Sequence, residues 1–214
     1  DVLRLQQHLG NDDGAWPKHC VIRVPPEIRA DIDRVVEAVQ VAHINPQKEK
    51  SIIGVVNAEA MKRWFIDVAL WSGFWRAQRR IFAKVTKTKK SIRIPSRQKQ
   101  LEELFNRDGW QFRYCGKPVG GNRKHFKKFA KQIDMPDLIH GRSDETRHGI
   151  YLMMMASYDH VESHSRGGTD DFSNLVTACW PCQFGKYKFE LLELGIDDPR
   201  SRKPNTKRGW AGLT

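Results

Sequence analysis

The chain has no long apolar run, no phosphate-binding glycine loop, no internal repeat and no low-complexity tract. Its greasiest stretch, from Trp64 to Phe82, is broken by Asp67, Arg76, Arg79 and Arg80, charges too costly to bury in a bilayer. The first residues, Asp1 to His8, carry no apolar segment of the secretion-signal kind. A cytoplasmic protein with no membrane partner is therefore expected. Gly116, Gly120 and Gly121 are not followed by the Lys-Ser/Thr pair of a P-loop, which argues against a nucleotide cofactor. Cysteine is scarce, four in 214 residues, and inside a cell four cysteines suit a metal better than disulfides. Acidic residues are outnumbered 25 to 37, for a net charge of +12. That excess favours a polyanionic partner, nucleic acid first. A membrane-surface protein would need a strongly amphipathic basic helix as its anchor.

What is present reads as a globular chain: 39% hydrophobic residues, with seven Trp and ten Phe to build a core. Ile28, Ile32, Val35, Val36 and Val39 recur at spacings of three and four, an amphipathic helix opened by Pro25-Pro26 and ended by Asn45-Pro46. A second helical region is predicted over 57–82, with an apolar stripe at Trp64, Phe65, Val68, Trp71 and Trp75 and a break at Gly73. Lys84 to Lys90 reads as a basic linker. A short helix with Leu101, Leu104 and Phe105 opens the second part. These features divide the chain into a mostly helical region, 1–95, a second domain, 96–195, and a basic tail, 196–214.

The chemistry concentrates between Tyr158 and Phe189. Asp159-His160 closes a strand-like run, a Ser/Arg/Gly-rich loop follows, and Asn174 to Ala178 reads as a second strand. Cys179-x-x-Cys182 makes a tight knuckle, and a helix runs from Gln183. Imidazole titrates near neutral pH and can take a proton from water. A neighbouring carboxylate is a hard oxygen ligand for a divalent cation, which can neutralise charge on a phosphate. An Asn side chain can fix the imidazole by accepting its other N–H.

The string Asp159-His160, Gly167-Gly168, Asn174-Leu175-Val176, Cys179, Cys182, Gln183, Lys186 resembles the HNH endonuclease family, also called ββα-metal nucleases. The similarity covers about 105–195. It implies an α+β fold with a ββα core. It implies His160 as general base, Asn174 as the residue that positions it, and Asp159 and Gln183 as ligands of a catalytic Mg²⁺ or Mn²⁺. The substrate implied is DNA, hydrolysed to 5′-phosphate and 3′-hydroxyl ends. Gln183 departs from the Asn or His usual in the family. A second departure is Phe112, which stands where a first knuckle thiol would be. Cys115, Cys179 and Cys182 then point to a structural Zn²⁺ whose fourth ligand is His125, His148, Cys20 or water, unless Phe112 packs the gap and zinc is absent.

Between the knuckle halves, 117–157 reads as a helical insertion. Asn122 caps a helix with Phe126, Phe129 and Ile133 on one face and Arg123, Lys124, Lys127, Lys128 and Lys131 on the other. Lys124, Lys127, Lys128, His164, Arg166 and Lys186 are the candidate nucleic-acid contacts. The rival functions are a degenerate HNH module that binds without cutting, an RNA-directed enzyme and a toxin nuclease.

Overall fold

A computed structural model describes residues 24–42, 45–70, 97–204 and 209–213. Cys20, the second half of the helical region expected over 57–82, and the basic linker at 84–90 lie outside them. No helix among the described residues is long and apolar enough to cross a membrane.

The expected amphipathic helix is α1, Pro26–Ala42. Pro26 occupies the first turn, where its missing N–H costs nothing. Ile28, Ile32, Val35, Val36 and Val39 are all buried. Asn45-Pro46 does not only end a helix: a further one, α2 (Pro46–Gly54), starts there, with Asn45 Oδ1 accepting from Lys48 N at 3.1 Å. Next come α3, Ala58–Trp64, and a π-helical turn, Phe65–Leu70. Helix α4, Arg97–Arg107, buries Leu104 and Phe105.

Helix α5, Arg123–Gln132, is capped by Asn122, whose side chain accepts from Lys124 N and His125 N. Phe126 and Phe129 are buried, while Arg123, Lys124, Lys127, Lys128 and Lys131 are exposed. Helix α6, Gly149–Met154, is buried along its whole length and packs on α3. A Cβ at Gly149 would stand 2.0 Å from the carbonyl oxygen of Ala58, so this crossing requires glycine.

Strands β1 (Ala156–His160) and β2 (Leu175–Cys179) pair antiparallel, with Asp159 opposite Val176 and His160 opposite Leu175. Helix α7, Trp180–Lys186, follows at once. It begins three residues before the expected Gln183 because Pro181 starts it, so Cys182 lies in its first turn. Phe65 packs against Trp180 and Phe184, ring centroids 6.1 and 6.3 Å away, fastening the π-helical turn to α7. The outer edge of β2 is closed by the 108–113 segment: Arg113 N donates to Thr177 O at 2.8 Å, and Asp108 Oδ2 accepts from Thr177 N at 2.7 Å.

A short helix α8, Leu191–Leu194, comes next. The chain beyond it folds back on the core. Arg113 donates to the carbonyls of Pro199 and Arg202, Trp210 Nε1 donates to Val119 O at 2.7 Å, and Leu213 is fully buried. Of the cations expected in the tail, Arg200 is paired with Asp198, while Lys207 and Arg208 lie outside the described residues.

Candidate functional site

Successive side chains of a strand point to opposite faces, and this alternation separates the Asp159-His160 pair. Ser157 and Asp159 face α7. Tyr158 and His160 face the 161–174 loop. His160 Nε2 lies 2.6 Å from Asp170 Oδ1, with both side chains partly covered. Its ring meets Tyr158 and His164 edge-on, at 5.7 and 5.4 Å. His164 is thus a neighbour of the imidazole in the loop.

Asp159 is 7% exposed. Its Oδ2 accepts from the Tyr114 hydroxyl at 2.8 Å and faces Lys186 Nζ at 3.5 Å. Burial raises the Asp159 carboxyl above the usual range, outweighing the opposing pull of Lys186 and of the Tyr114 bond. Burial, and then the neighbouring Asp159 charge, holds Tyr114 well above an ordinary phenol, so Tyr114 stays the donor. Tyr114→Phe should lower stability by about 1–3 kcal/mol, the cost of stripping a buried acceptor of its partner. Urea unfolding of the two proteins checks this, and an unchanged midpoint would show the bond to be dispensable.

Three residues expected to make contacts at the site have partners within the protein. Lys186 is 0% exposed and serves as the counter-ion of Asp159, so no nucleic-acid phosphate reaches it. Arg166, partly exposed, is engaged by Glu193 at 2.9 Å and Glu190 at 3.5 Å and donates to Lys188 O, so a phosphate would compete with two carboxylates for its guanidinium. Gln183 shares the Asp159 face of β1, but its Oε1 accepts from the Ser157 hydroxyl at 2.8 Å and its Nε2 donates to Tyr158 O at 3.0 Å. That oxygen keeps a second lone pair, so an ion there would share it with Ser157.

Asn174 does not bond the imidazole. Its Oδ1 accepts from Glu162 N at 2.9 Å, and its Nδ2 donates to the carbonyls of Glu162 and Thr169 at 3.1 and 2.8 Å. The side chain staples the loop that stands over His160. Gly168 is needed in the same loop: a Cβ there would sit 1.9 Å from Glu162 O.

Cys115, Cys179 and Cys182 are buried, with their sulfurs all within 4.8 Å of one another. Cys115 Sγ and Cys179 Sγ are 3.7 Å apart. A tetrahedral zinc with bonds of about 2.3 Å holds its sulfurs about 3.8 Å apart, close to the Cys115–Cys179 separation, and the cluster offers three ligands of the kind such an ion takes. For Cys179, burial works against ionisation. Hydrogen bonds from Cys115 and Cys182 and the charge of Lys117 override it and hold the thiol well below its ordinary range. Among the described residues no His, Cys, Asp or Glu joins the three. His125 Nδ1 accepts from Asn122 N, and His148 Nδ1 accepts from Ile150 N as the cap of α6. Neither is the fourth ligand. Phe112 is fully buried beside the knuckle.

Residues 141–187 match the family model described as HNH endonuclease. The chain carries an HNH domain. The matched stretch takes in α6, both strands and α7, and it contains Asp159, His160, Asn174, Gln183 and two of the three cysteines, Cys115 lying outside it. Comparison with curated proteins and with solved structures gave no match. An HNH domain in a mixed helical and two-stranded fold points to a nuclease or nucleic-acid-binding function. Asp170 and Tyr114 stand out little in the sequence. Asp170 carries a weak signal, lying just past Gly167-Gly168 where the loop turns back toward β2. Tyr114 carries only its place beside Cys115.

Proposed function

We propose that the protein is a metal-dependent endonuclease that hydrolyses DNA phosphodiester bonds, with His160 as general base. The observation that carries this reading is His160 itself: an imidazole at the end of β1 in an HNH domain, partly open and paired with a carboxylate. His160 takes a proton from water, and the resulting hydroxide attacks phosphorus. The P–O3′ bond breaks, and the leaving oxygen gains a proton from solvent, giving 5′-phosphate and 3′-hydroxyl ends.

Asp159 is the residue to hold a divalent ion such as Mg²⁺ or Mn²⁺. Its Oδ1 has no hydrogen-bond partner among the described residues, and Mg²⁺ commonly takes one or two carboxylates and completes its shell with water and substrate phosphate. The bound ion supplies positive charge against the scissile phosphate. A second reading, an HNH module that binds without cutting, is favoured by the Asp159–Lys186 pair, which already gives the carboxylate a counter-charge.

Incubating supercoiled plasmid with the protein and each divalent ion, with and without EDTA, separates the two. Nicking abolished by EDTA supports the enzyme, and binding without nicking under every ion supports the module. RNA cut while DNA is spared would redirect the substrate, and a co-purifying inhibitor would mark a toxin.

The exposed face of α5 supports duplex binding through Lys124, Lys127 and Lys128. Each phosphate contact contributes about 0.9 to the slope of log K against log salt. Replacing all three by Ala is expected to flatten that slope by roughly 2.7 if each neutralises one phosphate. Fluorescence anisotropy with a labelled duplex at several salt concentrations measures it, and an unchanged slope removes α5 from the interface.

A further inference from the structure

We propose that Asp170 is the positioning residue of the site: its carboxylate takes the Nε2–H of His160, fixing the ring and leaving Nδ1 as the nitrogen that receives the proton. The role in a reaction rests on the nuclease reading, whereas the pairing rests on geometry alone. An ionised carboxylate only accepts hydrogen bonds. A nitrogen 2.6 Å from Asp170 Oδ1 is therefore the donor, and in the neutral ring the other nitrogen is then the base.

The loop is over-determined around Asp170. On one side, Thr169 is held through its carbonyl by Asn174 Nδ2 at 2.8 Å. On the other, Asp171 O accepts from Asn174 N at 2.8 Å, and Thr169 Oγ1 closes onto Asp171 Oδ2 at 2.6 Å. Asp170 thus sits between two residues fastened to Asn174, and Val161 N donates to Asn174 O at 2.9 Å just past His160. The order of control is Asn174 to the loop, the loop to Asp170, and Asp170 to the imidazole. When His160 accepts a proton from water at Nδ1, the ring becomes a cation with both N–H groups in place. The Asp170 charge then stabilises it without any movement of the side chain.

The test uses ¹⁵N-labelled full-length protein, wild type, Asp170→Ala and Asp170→Asn, in long-range proton–nitrogen correlation spectra, with the His160 signals assigned by His160→Gln. Wild type is expected to carry its proton on Nε2, shifted downfield by a short hydrogen bond. Asp170→Ala is expected to lose that shift, and Asp170→Asn, which keeps a carbonyl acceptor, to retain part of it. In plasmid cleavage, loss of such a supporting partner should lower kcat about 10- to 100-fold, with KM nearly unchanged. A wild-type ring protonated on Nδ1, or a spectrum that Asp170→Ala does not move, overturns the proposal. A spectrum that responds as expected in a protein that cuts nothing leaves the pair standing and removes the nuclease reading instead.

Discussion

Replacing His160 by Ala is expected to slow DNA cleavage by about 10²- to 10⁴-fold, the usual worth of a positioned general base, while leaving the fold and duplex binding intact. The fold should survive because His160 is no core residue. Its side chain is partly exposed, its neighbours are ring edges, and among the described residues its ring is bonded to Asp170. Binding should survive because the exposed cations of α5 lie elsewhere: Gly121, next to the α5 cap, bridges to Met155, at the other end of β1. Single-turnover nicking of supercoiled plasmid gives the rate, and anisotropy with a labelled duplex gives the binding. A variant that cuts at the wild-type rate would remove His160 from the chemistry. Asp159→Ala makes a poorer test. It strips Lys186, wholly buried, of its counter-ion, and an uncompensated buried charge costs about 3–5 kcal/mol. Lost activity there could be lost structure, and Asp159→Asn, which removes the same counter-charge, shares the fault.

The contrast between these residues shows how far sequence reaches. The periodicity of Ile28, Ile32, Val35, Val36 and Val39 specified α1, because burial of one face is itself periodic. The Asn122 cap and the two faces of α5 were legible for the same reason, as was the order of strand, loop, strand and helix over 156–186. Side-chain partners were not. The Tyr114–Asp159 bond spans 45 residues of chain, and no local spacing encodes it. Lys186 reads as a phosphate contact because lysine is ordinarily exposed. Only the assembled fold puts it opposite a carboxylate that needs a counter-charge. Asn174 was recognisable as important, but its three bonds go to backbone groups at 162 and 169, so it acts on His160 through the loop. Pro46 reads as a terminator, although a residue that cannot continue a helix is also well suited to begin one. Adjacent residues on a strand face opposite ways, and that single fact reorders the site: Asp159 turns inward to Tyr114 and Lys186, His160 outward to Asp170.

Removal of metal from the cysteine knuckle should cost the fold several kcal/mol. Three buried thiols lie within 4.8 Å of one another, and one pair is 3.7 Å apart. At free zinc a thousandfold above its dissociation constant, mass action adds about 4 kcal/mol to the folded state. For a chain of this size that is about 8–16 °C in Tm. Elemental analysis should find one zinc per chain, and a strong chelator or Cys179→Ala should lower Tm by that amount in a thermal melt. A protein free of zinc whose Tm ignores the chelator would show that apolar packing around Phe112 suffices. The consequence should extend past stability. Cys115 sits next to Tyr114, whose hydroxyl holds Asp159, and Arg113 ties the same turn to β2. Loosening the turn therefore frees the carboxylate on which the proposed divalent ion depends. Zinc-stripped protein should bind Mn²⁺ more weakly than intact protein under otherwise equal conditions. Equal Mn²⁺ affinity in the two would show that the knuckle supports the fold and leaves the orientation of Asp159 to Lys186.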